Sequence, residues 1–152
     1  MPFIVYDTET TGTDPAFDQV LQVAAILADD DLTELDSFNL RCRLQPHVLP
    51  SIGALLITGM TIGAVEAAPL SYGEMVAEMR RRFLAWSRSG AVFCGWNTLS
   101  FDEEMLRPGF YQTLHPLYLT NTAGNTRADI MRMAQAIHAV RPQAIHRGVG
   151  PD

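Results

Sequence analysis

Two carboxylates, Asp7 and Glu9, stand two residues apart where a short apolar, β-rich run, Phe3-Ile4-Val5-Tyr6, comes to its end. Successive strand side chains point to opposite faces, so positions i and i+2 share a face, roughly 6–7 Å apart along the chain. Two acids of different arm length can then converge on one point, where they repel and one tends to take up a proton. A divalent cation removes that repulsion. Thr10-Thr11-Gly12 follows, offering backbone N–H groups, hydroxyls and a glycine that lets a ligand approach closely. The chemistry on offer is metal binding beside a substrate pocket; the alternative is a strand that leaves through a polar turn. A third acid, Asp102, falls in the predicted first turn of a helix, where the macrodipole favours an ionised carboxylate. Acids are common in first turns for the helix's own sake, and Glu103 and Glu104 are read that way. Asn97, one turn earlier, either hydrogen-bonds its loop or faces the site.

The elements that must position these groups can be read in order. Phe3–Tyr6 is a strand, Gln19–Ala28 a mostly buried second one and Leu35–Leu44 a third, joined by turns into an antiparallel meander. Asp29-Asp30-Asp31 reads as a solvated hairpin tip. An apolar segment, Ser51–Thr61, ends in a glycine turn; Thr61 caps a short helix through Ala67, and Pro69 stops it. Ser71-x-x-Glu74 is a capping box for a longer helix that carries Met75, Met79, Phe83 and Trp86 on one face and ends at Gly90. Ala91–Trp96 is continuously apolar, as in a strand buried on both faces after a helical crossover. Ser100 and Glu103 form a second capping box, and Pro108-Gly109 ends that helix. Asn121–Asn125 is a polar loop, and Asp129 starts a last helix that runs to Arg141-Pro142. The expected fold is α/β: a mixed sheet of three antiparallel strands with a parallel fourth beside the first, flanked by helices. Active sites of such sheets gather at the carboxyl ends of central strands.

Composition bounds the function. The chain has 152 residues, 47% hydrophobic and 18% charged, enough for one domain with a real core. No apolar run approaches the ~20 residues that span a bilayer. No basic segment precedes an apolar stretch at the N-terminus, so no signal peptide is read. The net charge of −6 argues against a broad basic nucleic-acid surface, though not against an enzyme that grips nucleic acid through metal ions. All eleven basic residues are Arg, and Arg80-Arg81-Arg82 reads as a solvated helix face. Cys42 and Cys94 read as core thiols, which points to a reducing, cytoplasmic location.

Asp7-x-Glu9-Thr10-x-Gly12 followed by Asn97-x-x-x-Phe101-Asp102 resembles the first two motifs of the DEDD (DnaQ-like) 3′→5′ exonuclease superfamily. The resemblance is nearest to the exonuclease I branch, which degrades single-stranded DNA from its 3′ end. It is carried by Leu56–Thr61, Phe101-Asp102, Phe110-Tyr111, Asp129 and Arg141-Pro142, in order and at similar spacing. It extends over residues 3–142, with 143–152 a divergent tail. It implies a ribonuclease H-like fold and two Mg²⁺ ions, for which Mn²⁺ can substitute, astride the scissile phosphate. One activates the attacking water and the other stabilises the leaving 3′ oxygen, so that nucleoside monophosphates are released. By the same resemblance Asp7 bridges both metals, Glu9 binds the first, and Asp102 supports the second through water. Thr10, Thr11, Ile57, Thr58, Gly59, Met60, Asn97 and Phe101 bind the terminal nucleotide. Thr8 and Thr11 depart from the pattern, standing where that branch carries aromatic residues.

The family's third motif has an acid five residues after a His, or four after a Tyr. His47, His115, His138 and His146 are followed at their spacing by Ile52, Thr120, Gln143 and Pro151, and no Tyr serves either. The expectation is therefore a chain that stops before the fifth strand and the helix bearing that motif, leaving the fourth strand with an open apolar edge. Three functions fit: a single-stranded DNA exonuclease, inactive if the missing motif is indispensable; an RNA-trimming relative; and a non-catalytic module that grips a 3′ end.

Overall fold

A computed structural model describes residues 1–144. Its centre is a five-stranded sheet in the order β3-β2-β1-β4-β5. β1 (Phe3–Thr10), β2 (Val20–Ala28) and β3 (Glu34–Arg41) form the expected meander. At the hairpin tip the Asp29 carboxylate accepts hydrogen bonds from the Asp31 and Thr33 N–H groups, a self-contained turn rather than a metal site. β4 (Val92–Gly95) lies parallel to β1, as the apolar run predicts, but it stops before Trp96, which is exposed rather than buried.

Two differences bear on the site. β1 runs through Thr10, not Tyr6, so both acids lie within the strand. A fifth strand, β5 (Thr126–Asp129), pairs in parallel with β4, so β4 is an interior strand and the expected open edge is closed. Thr-Arg-Ala-Asp has no alternating apolar pattern to announce a strand, because an edge strand this short needs few buried side chains.

Helices follow the capping signals where these are local. α1 (Ile52–Thr58) is capped by the Ser51 side chain, and α2 (Ile62–Glu66) by Thr61. α3 (Tyr72–Trp86) has the Ser71/Glu74 capping box complete in both directions. α5 (Ile130–Val140) is capped by Asp129, and a 3₁₀ turn follows at Pro142–Ala144. α4 (Asp102–Gln112) departs from expectation twice. Ser100 and Glu103 make no capping box: Phe101 is the cap position and its side chain caps nothing. Glu103 is instead buried, accepting from Thr120 at 2.6 Å and pairing with Arg127 at 2.8 Å. Nor do Pro108 and Gly109 end the helix. Gly109 fits under Tyr72, whose hydroxyl lies 2.4 Å from where a Cβ would stand, and Met105, Leu106 and Phe110 are buried on the same helix. That packing outweighs the one helical hydrogen bond proline cannot donate.

α3 and α4 cover one face of the sheet. There Ile4, Tyr6, Val23, Phe38 and Phe93 meet Met75, Met79, Phe83, Met105 and Phe110 in one core. Cys42 and Cys94 are buried free thiols, as expected. The opposite face is open along its centre, where Val5, Ile26 and Trp96 are exposed. None of the helices among the described residues is long and apolar enough to cross a membrane.

Candidate active site at the carboxyl end of the central strand

Alternation along β1 decides where each acid points. Ile4, Tyr6, Thr8 and Thr10 are buried, whereas Val5, Asp7 and Glu9 turn to the open face. β1 pairs with β4 only at Phe3, Ile4 and Val5; beyond Val5 it outruns its neighbour. At that parting Gly95 is indispensable, since a Cβ there would lie 2.4 Å from the Tyr6 carbonyl oxygen. The gap beyond it receives Asp102, the first residue of α4. Its carboxylate Oδ1 accepts a 2.6 Å hydrogen bond from the buried Thr8 hydroxyl. On the other side, the register of β1 against β2 slips between Glu9 and Thr10, a bulge that re-aims the strand end.

The acids perturb one another. Burial, and next the charge of Asp7, raises Glu9 from its ordinary value. Burial pushes Asp102 up to about 6; the Thr8 hydrogen bond lowers it, and the Asp7 charge raises it again. Among the described residues no three His, Cys, Asp or Glu side chains gather around one point. Asp7 and Glu9 share the open face of β1, and Asp102 approaches the strand from the buried face. The oxygen-only, mutually repelling pair of Asp7 and Glu9 suits a hard divalent cation, which would favour the charged form of both.

Beside the acids lies a cleft of about 470 Å³. It is lined by Thr8, Glu9, Thr10, Gly12, Thr13 and Asp18 from the β1 end, by Ser51, Gly53, Ala54, Ile57 and Thr58 from α1 and its cap, and by Phe101. Of the residues proposed from sequence, Glu9, Thr10, Ile57, Thr58 and Phe101 therefore share one cavity. Asp7 faces the adjoining hollow over Ala24, Ile26 and Trp96. Thr11, Gly59, Met60, Asn97 and Asp102 do not line the cleft. Thr11 is buried and donates to Asp18, and Gly59 closes α1. Asn97 has a positive φ of 62°, and its N–H donates to Asp129, an organising role in the loop. His47 and His115 lie outside any helix or strand and His138 lies on α5; His146 lies outside the described residues.

Two positioning roles escaped the sequence. Asp18 accepts from the Thr11 hydroxyl and from the Asp14 N–H, and it occupies the space beside Gly12, where any Cβ would strike it at 2.3 Å. A side chain at position 12 would thus displace the Asp18 carboxylate from the cleft floor. Asp129 caps α5 through Met131 and Arg132 and also accepts from the Asn97 and Leu99 N–H groups. One buried carboxylate so ties the β4–α4 loop, which delivers Asp102, to β5. Asp129 could be flagged from sequence as a helix cap, but its second pair of donors is 30 or more residues away.

A pH effect follows from Asp102. Its folded value of about 6 lies above the ordinary 3.8, so the folded chain holds a proton that the unfolded chain has released between those values. Stability contributed by this group is therefore present at low pH and lost as pH rises through that window. Without metal, Asp102→Asn is expected to stabilise the fold at pH 7.5 by at most about 3 kcal/mol, at 1.36 kcal/mol per tenfold proton affinity, and to give no gain near pH 4. Urea unfolding in a chelator at both pH values checks this; equal gains at both would refute it.

A mixed sheet with carboxylates at the end of its central strand and a cleft beside them is the architecture of the exonuclease class. The chain belongs to the RNase T-type exonuclease family, whose family model matches residues 4–148. It is 30% identical over 146 residues to exodeoxyribonuclease I of Haemophilus influenzae, covering 95% of this chain and 30% of that protein. The crystal structure of Escherichia coli exonuclease I with a dT13 oligonucleotide superposes with a TM-score of 0.86 at 30% identity, over 95% of this chain and 31% of that one. A zinc-bound form of the E. coli exonuclease I complex with single-stranded DNA superposes at 0.87, with 30% identity and coverage of 95% and 31%. The chain thus spans about 30% of the length of the relatives it matches.

Proposed function

We propose that this chain carries the catalytic residues of a 3′→5′ exodeoxyribonuclease acting on single-stranded DNA. The observation that carries the proposal is the pairing of Asp7 and Glu9, on one face of β1, with a cleft that Glu9 itself lines. Kinship with exonuclease I supports DNA as the substrate. In this reading Asp7 and Glu9 hold Mg²⁺, with Asp102 in support, and Mn²⁺ substitutes. A bound cation supplies positive charge where it develops on the phosphoryl oxygens and makes water a better nucleophile. The chain's own residues do the rest. Phe101 offers a ring, Ile57 an apolar wall for the terminal base, and Thr10 and Thr58 edge the cleft with polar groups. A cytoplasmic location belongs to the same proposal and is supported by the two free buried thiols.

The test is digestion of a 5′-labelled single-stranded DNA oligonucleotide with Mg²⁺ or Mn²⁺, beside an RNA of the same sequence. The expected result is a metal-dependent ladder that shortens from the 3′ end, faster on DNA. A chain that neither cleaves nor binds Mn²⁺ overturns the proposal. Faster cleavage of RNA transfers it to the RNA-trimming reading, because only the 2′-hydroxyl and a thymine methyl separate the two substrates.

A further inference from the structure

We propose that Thr8 is a positioning residue that locks Asp102 in place for the cation, an inference that rests on the metal site proposed above. Thr8 lies between Asp7 and Glu9 in sequence but points to the opposite face of β1. Its hydroxyl lies 2.6 Å from Asp102 Oδ1, and the two residues are 6% and 1% exposed. An ionised carboxylate only accepts hydrogen bonds, so the hydroxyl must be the donor. The distance is that of a charge-assisted O–H···O⁻ bond.

Three features make this bond a lock. A β-branched side chain in a strand has few χ1 choices, so the backbone of β1 aims the hydroxyl. Asp102 opens α4 after a cap position whose side chain holds nothing, leaving Thr8 as its side-chain anchor among the described residues. Finally, β1 has parted from β4 by this point, so the carboxylate sits in the gap between the strands. The Thr8 hydroxyl engages one lone pair of Oδ1, and the carboxylate has further lone pairs to offer a cation or its water. Central acids on opposite faces of one strand are thereby joined through the residue between them.

Mn²⁺ binding to the 152-residue chain tests this by calorimetry at pH 7.5, with folding followed by circular dichroism. Thr8→Val keeps the shape and deletes the donor, and is expected to weaken Mn²⁺ binding by roughly ten- to a hundredfold, the usual effect of losing a ligand's hydrogen-bond partner. Thr8→Ala, which places no extra methyl against the carboxylate, is expected to match it and serves if the valine variant does not fold. Thr8→Ser restores the donor and binding near that of the unaltered chain. Undiminished or tighter binding by the valine or alanine variant overturns the proposal, as does a folded serine variant as weak as they are. Absence of Mn²⁺ binding by the unaltered chain overturns the metal site itself, and the lock with it.

Discussion

Asp7→Asn is expected to lower 3′-end cleavage on the order of a thousandfold while leaving the fold intact. Asp7 is exposed on the open face of β1, so an isosteric amide disturbs no core contact. It removes one of the two adjacent carboxylates proposed to hold the cation. A cation at a phosphoryl centre is worth several kcal/mol of transition-state stabilisation, and each 1.36 kcal/mol is a factor of ten in rate. Two side effects identify the cause. Mn²⁺ affinity falls with the activity, and Glu9 and Asp102 both titrate lower, because the Asp7 charge raises each of them. Rate assays, Mn²⁺ titration and carboxylate NMR check the three parts. Full activity in this variant would remove Asp7 from the chemistry.

The second large effect is on stability. Phe83 is 1% exposed and sits on α3 where the sheet and helices meet. Its ring centroid lies 5.3 Å from Phe93 in an edge arrangement, 5.4 Å from Phe38 and 5.8 Å from Tyr6. Rings from β1, β3 and β4 therefore converge on one side chain. Phe83→Ala is expected to cost about 3–5 kcal/mol, a large share of the ~5–15 kcal/mol that holds a domain folded. At roughly 2–4 °C per kcal/mol for a chain of this size, Tm falls by roughly 6–20 °C. Differential scanning calorimetry reads this directly. A drop of only a degree or two would mean the aromatic cluster is not the centre of the core.

Much of this architecture is local physics, and local physics is written in the chain. The Ser71/Glu74 box, the Thr61 cap and the Asp129 cap each need only residues within one turn, and each forms as read. The parallel placement of β4 is read from its apolar run, of which Phe93 and Cys94 are buried whereas Trp96, just past the strand, is exposed. The spacing of Asp7 and Glu9 puts them on one face because strand side chains alternate, and it does so here because β1 runs through Thr10.

What failed to show in the chain depends on partners distant in sequence. α4 continues past Pro108 because Gly109 fits beneath Tyr72 of another helix. Glu103 abandons its local capping role for Arg127 and Thr120, where a buried charge is paired. β5 is a strand because β4 offers it backbone partners, not because of its own side chains. The same distinction runs through the site. The sequence by itself determined which acids are present, that Asp7 and Glu9 share a face, and that Asp102 opens a helix. Only the tertiary structure decided that Asp102 meets β1 from the opposite face through Thr8, that Asp18 and Gly12 shape the cleft floor, and that Asp129 ties the loop to β5. Alternation and capping are properties of a few neighbouring residues, whereas those contacts exist only once strands and helices far apart in the chain have packed together.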